Sequence, residues 1–303
     1  MSGSRPRFLR RLHRRIAEGL GDLTDELRRG HAAFVLSRQQ ADGGFAGRAG
    51  GSDVYYTGFA VQALSLLDSL AGEPARRCAA FLEACRPADI IEQVQLLHAA
   101  LLLDAPCEAS AAALGEFIES FRAADGGYGK RPGAADGSTY WSYLAALCYD
   151  QVGARPPDRR RLRAFLRGRQ CADGGFSETG HAETGSTNAT AAGIGLAALT
   201  GLLALPMIPP ALRFLAGTQS PMGGFVATGR VPMPDLLSTF TVVVALTEAR
   251  AAGQVDLAAA AAFAESCADA AGGYRAAPWD DAADVEYTFY GLGCRGLLAK
   301  AHA

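Results

Sequence analysis

The chain has 303 residues, of which 49% are hydrophobic, and its formal net charge is −2. This composition provides for a large apolar core, and the near-zero charge argues against a nucleic-acid-binding surface. No run approaches the about 18 apolar residues of a membrane-spanning helix, and no signal-peptide region opens the chain. Seven scattered cysteines without a CxxC motif are typical of free thiols in a reducing compartment. We therefore expect a cytoplasmic protein.

Residues 1–30 differ from the rest because arginines alternate with apolar residues at helical spacing. Phe8, Leu12 and Ile16 would lie on one face of a helix whose opposite face is basic. Such a helix either packs on the outer wall of the protein with its basic face in solvent, or contacts an anionic membrane surface or an acidic partner. The sequence leaves both interpretations open.

Residues 31–300 contain a repeated unit. The motifs ADGGF, ADGGY, ADGGF, MGGF and AGGY end at residues 45, 128, 176, 225 and 274, and the last four are spaced by 48 or 49 residues. Each motif follows an amphipathic helical segment and precedes an almost wholly apolar one, so each unit is predicted to be an outer helix, a glycine turn and a buried inner helix. A sixth unit, without a glycine pair, begins near Asp89.

An acid precedes a Thr or Tyr by four positions at the start of most apolar segments, which predicts a helix N-cap there. Six outer and six inner helices close most simply into an all-α fold without a sheet, a single α/α toroid whose inner-helix N-termini gather at one rim. The aligned pairs are Asp53/Thr57, Asp89/Gln93, Asp136/Tyr140, Ser186/Thr190, Asp235/Thr239 and Asp284/Thr288.

This repeat resembles that of the protein prenyltransferase β subunits and of the squalene-hopene and terpene cyclases, over practically all of residues 31–300. In the prenyltransferase subunits an Asp-x-Cys and a later His hold a catalytic zinc. The matching positions here are Asp235, Leu237 and Tyr287. A single carboxylate cannot replace three protein ligands. The resemblance therefore implies a zinc-independent protein.

In the resembled class II cyclases, the middle acid of an Asp-x-Asp-Asp-Thr motif protonates an alkene. The matching segment here runs from Asp284 to Thr288, so the resemblance implies a catalytic role for Glu286 as the middle acid, together with Asp284 and Tyr287 beside it. A carboxyl at an apolar cavity keeps the neutral form that a general acid requires, although a Glu in the first helical turn also compensates the helix dipole. The aligned positions of the other units hold uncharged residues: Tyr55, Ile91, Ser138, Asn188 and Leu237.

Basic residues follow the glycine pairs, and in the resembled enzymes similar loops hold a prenyl diphosphate. Together with helix N-termini they predict a diphosphate site, although ordinary surface charge explains them as well. Asp280 and Asp281 begin a DDxxD motif that would hold Mg²⁺ against a diphosphate, but the enzymes that use this motif have a different fold. The basic residues are Arg48, Lys130, Arg131, His181, Arg230 and Arg275.

Aromatic residues in the early turns of the inner helices are predicted either to line a cavity, where their faces would stabilise a carbocation, or to fill the barrel. The predicted lining comprises Tyr55, Tyr56, Phe59, Tyr140, Trp141, Asn188, Phe240, Tyr287, Phe289 and Tyr290.

The sequence thus predicts an isoprenoid-processing enzyme acting on a prenyl diphosphate. Acid-initiated terpene cyclisation accounts for Glu286 and for the missing zinc ligands. Prenyl transfer to a small-molecule or peptide acceptor accounts for the single-barrel size and the basic rim. A third hypothesis is a non-catalytic toroid that acts as a binding scaffold.

Overall fold

The computed structural model describes residues 7–105, 111–180 and 182–299, and within these ranges it contains thirteen α-helices. The helices are α1 (Phe8–Gly19), α2 (Asp25–Leu36), α3 (Val54–Leu66), α4 (Gly72–Ala84), α5 (Ile90–Leu102), α6 (Ala111–Glu119), α7 (Thr139–Gln151), α8 (Arg159–Gly168), α9 (Thr187–Thr200), α10 (Ile208–Ala216), α11 (Leu236–Glu248), α12 (Leu257–Ser266) and α13 (Val285–Leu298). None of these helices is long and apolar enough to cross a membrane.

Six inner helices form a closed ring. They are α3, α5, α7, α9, α11 and α13; each packs against the next, and α13 packs against α3. The amphipathic helices α2, α4, α6, α8, α10 and α12 alternate with them along the chain. The predicted all-α toroid is therefore confirmed.

The expectation of no sheet at all is wrong, because three of the loops between outer and inner helices form short antiparallel hairpins. The hairpins arise where the chain reverses after a glycine turn and the two arms of the loop come within hydrogen-bonding distance. The strands are β1 (Phe45–Ala46) with β2 (Ser52–Asp53), β3 (Phe225–Thr228) with β4 (Val231–Asp235), and β5 (Tyr274–Arg275) with β6 (Ala283–Asp284).

The first glycine of each turn packs against the outer helix of the following unit. Gly272, with φ +96°, closes the ring, because a Cβ there would lie 2.6 Å from the carbonyl oxygen of Gly30 in α2. Only glycine combines this positive φ with so close an approach. The equivalent glycines with positive φ are Gly43, Gly126, Gly174 and Gly223.

A buried hydroxyl links each glycine turn to the inner helix that follows. The backbone N–H of Phe45 donates to Thr57 Oγ1 over 2.8 Å, and that of Tyr274 donates to Thr288 Oγ1 over 3.1 Å. The hydroxyl occupies the fourth position of the helix. Phe176 and Phe225 make the same bond to Thr190 and Thr239.

In the ADGGY unit the predicted register is wrong by two residues. The hydroxyl that accepts from Tyr128 N, over 2.9 Å, is that of Ser142, and Ser138 is the N-cap of α7. Asp136 is exposed in the preceding loop. The loop from the second glycine to the cap has the same length here as in the three later units, and only the first unit is two residues shorter. Asp136 fits the shorter spacing by coincidence.

The other predicted acidic caps are confirmed. The carboxylates of Asp53, Asp89, Asp235 and Asp284 each accept a hydrogen bond from the backbone N–H three residues later, at 2.7 to 3.0 Å. These bonds satisfy amide groups that a helix N-terminus leaves free.

Helix α1 lies across the C-terminal end of the inner ring and not on the outer wall. Its N–H at Phe8 donates to Asp150 near the end of α7 over 2.6 Å, and His13 Nε2 lies 3.0 Å from the hydroxyl of Ser65 near the end of α3. Phe8, Leu12 and Ile16 are buried against the ring. The predicted division of the chain after residue 30 falls within α2.

Electrostatics favour this position of α1. The inner helices end here, so their negative dipole ends face a helix rich in arginine. Arg11 and Arg15 both pair with Glu248, the last residue of α11, at 3.3 and 3.1 Å. Part of the basic face is therefore bound to the barrel.

We expect Gly296→Ala to destabilise the protein by about 1–3 kcal/mol, because a Cβ there would collide with the backbone of Ile16 where α1 crosses α13. Gly30→Ala is the matched control. A Cβ at Gly30 meets nothing within 4 Å, so this change inside α2 should stabilise by about 0.4–1 kcal/mol. Urea unfolding of both variants measures the difference; a Gly296→Ala protein as stable as wild type would contradict this packing of α1.

Candidate active site

The inner helices enclose a cavity of about 530 Å³, within the usual range of ligand pockets. Its lining follows one face of the inner helices, mainly at the second position and at the positions four and seven residues further. On α3 these residues are Tyr55, Phe59 and Gln62. The second positions form the mouth of the cavity at the N-terminal rim, where the lining residues are Tyr55, Tyr140, Asn188, Leu237 and Glu286.

The corrected register of α7 changes one of these assignments. Tyr140, and not Ser138, is the residue of α7 that corresponds to Glu286, so Tyr140 lines the mouth. Ser138 instead caps the helix and donates a hydrogen bond to Glu178 from the neighbouring loop. Glu178 lines the cavity as well, which the sequence did not predict.

Seven of the ten predicted lining residues line the cavity. Tyr56, Trp141 and Tyr287 do not, because each follows a second-position residue and points about 100° away from it around the helix. Trp141 is buried between helices, and Tyr287 lies under the guanidinium of Arg48, 5.7 Å from its ring centroid. The seven are Tyr55, Phe59, Tyr140, Asn188, Phe240, Phe289 and Tyr290.

Sequence reasoning missed the deeper part of the lining. Counting four and seven residues on from each mouth residue would have identified most of this deeper lining. The floor of the cavity comes from α1, which lies outside the repeats, so this spacing could not identify it. The missed residues include Gln62, Gln95, His98, Tyr143, Leu144, Leu147, Thr241, Val244, Glu248 and, from α1, Phe8, Leu9 and Leu12.

Glu286 is the carboxyl at the mouth that two phenols hold in place. Tyr55 and Tyr290 donate their hydroxyl hydrogens to Glu286 Oε1 over 2.7 and 3.1 Å. Burial raises the pKa of Glu286 above its ordinary value, although the two hydrogen bonds act in the opposite direction. Glu286 is thus a desolvated carboxyl with one oxygen, Oε2, left for a proton.

Asp284, predicted to act beside Glu286, does not line the cavity. One of its oxygens accepts from Tyr287 N as the cap of α13, and the other accepts from Arg48 Nε over 2.7 Å. Asp284 therefore positions the first turn of α13, and with it Glu286.

Aromatic rings cover the cavity wall directly below Glu286. Phe59 of α3 contacts Phe289 and Tyr290 of α13 with ring centroids 5.6 and 5.4 Å apart. Phe240 of α11 contacts the same two residues at 5.4 and 5.1 Å. Electron-rich ring faces at this site would stabilise positive charge in the cavity.

Two of the predicted diphosphate-binding residues are engaged in contacts within the protein. The guanidinium of Arg48 binds both oxygens of Asp280 at 2.9 and 2.5 Å in addition to Asp284. Arg275 donates to the carbonyl oxygens of Pro278, Asp280 and Ala268. Arg48 contacts a loop that is distant in the sequence, whereas Arg275 contacts residues close to it in the chain. The sequence pattern did not indicate either set of contacts.

The remaining predicted cations lie outside the cavity. Lys130 and Arg131 are exposed in the loop before α7, and Arg230 is exposed at the turn between β3 and β4. His181 lies outside the described residues. Among the described residues, no Lys or Arg side chain lines the cavity, whereas Glu178, Glu248 and Glu286 do.

The structure places the carboxylates at the aligned zinc position, Asp235, and at the possible magnesium position, Asp280 and Asp281, as follows. Both oxygens of Asp235 accept from Ser238, at 2.7 and 2.8 Å, as a helix cap. Asp280 is bound by Arg48, which lowers its pKa, and Asp281 is exposed. Across residues 7–105, 111–180 and 182–299, no three His, Cys, Asp or Glu side chains are grouped to hold a metal ion.

A family model for the prenyltransferase alpha-alpha toroid domain matches residues 15–182 and 209–303. The chain belongs to this family. No curated protein gives a significant match.

Solved structures share the fold at low sequence identity. Candida albicans protein geranylgeranyltransferase-I in complex with GGPP is 15% identical, with a TM-score of 0.71 over 88% of this chain and 89% of that one. The type II terpene cyclase MstE from Scytonema is 17% identical, with a TM-score of 0.63 over 91% and 98%. An alpha-1,6-mannanase from Salegentibacter reaches 0.62 over 91% and 99% at 14% identity. This toroid therefore supports more than one chemistry.

We expect Arg48→Ala to cost about 1–3 kcal/mol of stability, because it leaves the buried carboxylate of Asp284 without its charged partner. Arg230→Ala, on an exposed turn, should change stability by less than about 0.5 kcal/mol. Thermal unfolding of both variants tests this. If Arg48→Ala unfolds like wild type but loses affinity for geranylgeranyl diphosphate, Arg48 is an anion-binding residue and not a structural one.

Proposed function

We propose that the protein is an isoprenoid cyclase in which Glu286 starts the reaction by protonating an alkene. The observation that carries this proposal is the position of Glu286: it is a carboxyl with a raised pKa at the mouth of an apolar cavity, directly above an aromatic wall. A general acid must be protonated when substrate binds, and desolvation favours that state.

The chemistry needs only residues of this chain. The proton on Glu286 Oε2 forms a new C–H bond with one alkene carbon, and the other carbon becomes a cation. A second alkene of the same molecule attacks this cation through one carbon and closes a ring, and the other carbon of that alkene becomes the new cation. Loss of a proton from a neighbouring carbon to water or to the carboxylate of Glu286 ends the reaction as a net isomerisation. Tyr55 and Tyr290 stabilise the carboxylate through the hydrogen bonds to Oε1.

The comparisons support an isoprenoid as the substrate class. The Scytonema cyclase was captured with geranylgeranyl dihydroxybenzoate as substrate, and the Candida enzyme with GGPP. The sequence predicts a prenyl diphosphate, but within the described ranges Glu178, Glu248 and Glu286 line this cavity and no Lys or Arg does. An anion inside it would lose hydration without a cationic partner. We therefore favour a substrate whose charged group, if it has one, stays outside the cavity.

Prenyl transfer and a non-catalytic scaffold have less support. Zinc-dependent transfer would require ligands at Asp235, Leu237 and Tyr287 that these residues do not supply. A scaffold does not account for a half-buried carboxyl held by two phenols.

One assay separates the three functions. The protein is incubated with geranyl, farnesyl and geranylgeranyl diphosphates and with the corresponding alcohols and prenylated phenols, with and without Mg²⁺, and products are analysed by mass. An isomeric product supports cyclisation. An alkylated acceptor, or no conversion of any isoprenoid, would contradict it.

We expect Glu286→Gln to lower turnover by about 10²–10⁴, because glutamine keeps the shape and accepts the same phenol hydrogen bonds but has no acidic proton. Asp53→Asn is the matched control: Asp53 is a carboxylate at the same rim, whose pKa burial also raises, but it does not line the cavity. Asparagine caps a helix almost as well as aspartate, so turnover should be retained. Full activity of Glu286→Gln would exclude Glu286 as the proton donor.

The raised pKa of Glu286 predicts the direction of two pH effects. Turnover should fall tenfold per pH unit above that pKa, with a midpoint above the about 4.3 of an ordinary glutamate. A carboxyl whose pKa is raised by folding stabilises the protein at low pH, and this stabilisation is lost as pH rises through the raised pKa. Glu286→Gln should therefore gain melting temperature relative to wild type as pH increases. Parallel pH–rate and pH–melting curves measure both effects.

A further inference from the structure

The deep end of the cavity contains a polar group of side chains that the proposed proton transfer does not use. Gln62 of α3 and Gln95 and His98 of α5 all line the cavity and are 7%, 8% and 2% exposed. α3 and α5 are neighbours in the ring. Polar side chains buried this far usually have a hydrogen-bonding function, because leaving them unpaired destabilises the fold.

Hydrogen bonds within the protein hold part of this group of side chains and leave the rest without a partner. Gln62 Nε2 donates to Gln95 Oε1 over 3.1 Å and to the carbonyl oxygen of Gly58 over 3.2 Å. Gly58 makes this contact feasible, because a Cβ there would overlap Gln95. His98 Nδ1 is fully buried next to Gln151 and is not reached from the cavity. On the cavity side, Gln62 Oε1, Gln95 Nε2 and His98 Nε2 have no hydrogen-bond partner among the described residues, so hydrogen-bonding positions remain for a ligand.

This group of side chains is uncharged. Burial, followed by repulsion from the adjacent His13, lowers the pKa of His98 to about 3, so the imidazole is neutral at physiological pH. Glu248 at the same end is compensated by Arg11 and Arg15. A neutral imidazole and two amides match a group that donates and accepts hydrogen bonds without carrying charge, such as a hydroxyl.

We propose that Gln62, Gln95 and His98 form a subsite for an uncharged oxygen-bearing group, a hydroxyl or carbonyl, at one end of the isoprenoid substrate. The inference rests on the proposed isoprenoid function of the cavity. His98 lies seven residues after Ile91, the second residue of α5, which corresponds to about 10 Å along the helix axis. The subsite therefore lies about that far below the rim at which Glu286 protonates the alkene.

The test compares ligands with and without the oxygen. Binding of farnesol and geranylgeraniol, and of the hydrocarbons in which hydrogen replaces the hydroxyl, is measured by titration calorimetry with the wild-type protein. We expect the alcohols to bind more tightly than the hydrocarbons. His98→Leu should weaken alcohol binding about three- to tenfold, the value of one hydrogen bond, and leave hydrocarbon binding unchanged. His98→Asn should restore part of the preference.

His13→Leu is the matched control, because His13 contacts the ring of His98 with centroids 6.2 Å apart but does not line the cavity. It should leave the alcohol preference unchanged. If His98→Leu fails to fold, Gln62→Leu tests the same subsite. Equal losses for alcohol and hydrocarbon, or no preference in the wild type, would overturn the proposal. An alcohol preference without conversion of any isoprenoid would refute cyclisation alone, and cyclisation without that preference would refute the subsite alone.

Discussion

The site depends on a buried hydroxyl at the fourth position of five inner helices. In the last unit, Thr288 accepts from the N–H of Tyr274 and donates to the carbonyl oxygen of Asp284 over 2.6 Å. Two bonds in different directions fix both the height and the rotation of a helix relative to its glycine turn. Because rotation is fixed, the residue two positions before the hydroxyl always faces the cavity. A change of that one residue therefore changes the chemistry of the mouth. Equivalent positions illustrate this: α11 has Leu237 there, and α13 has Glu286.

The repeats, the acidic caps and the toroid could be predicted from the sequence because they follow from short spacings within each unit. Glu286 was predictable for the same reason: it occupies a repeated position with a different chemistry. What could not be predicted depends on contacts between distant segments. The sequence alone suggests that Arg48 binds an anion, but in the folded protein Arg48 pairs with Asp280 and Asp284. The predicted register of α7 was wrong for a different reason. Asp136 follows the second glycine at the distance that separates glycine and cap in the first unit only.

The cavity differs chemically from end to end. Its mouth carries a carboxyl with a raised pKa, its middle is aromatic, and its deep end is polar but neutral. Such a gradient suits the proposed reaction, in which positive charge appears near the acid and moves along a hydrocarbon, because the rings stabilise the charge and no Lys or Arg in the described part of the chain lines the cavity. The solved structures that share the fold include a transferase, a cyclase and a mannanase, so these lining residues, and not the toroid itself, determine the chemistry.

The crossing of α1 over α13 has a consequence for biosynthesis. Helix α1 is also the floor of the cavity, and it packs closely against Gly296 of α13, which lies 280 residues after Ile16 in the chain. Domains ordinarily begin to fold from the N-terminus during synthesis. Helix α1 can contact α3 and α7 earlier, but it cannot complete its packing until α13 has been synthesised. Until then the apolar face of α1 around Ile16 lacks its cover, so closure of the cavity floor is among the last steps of folding.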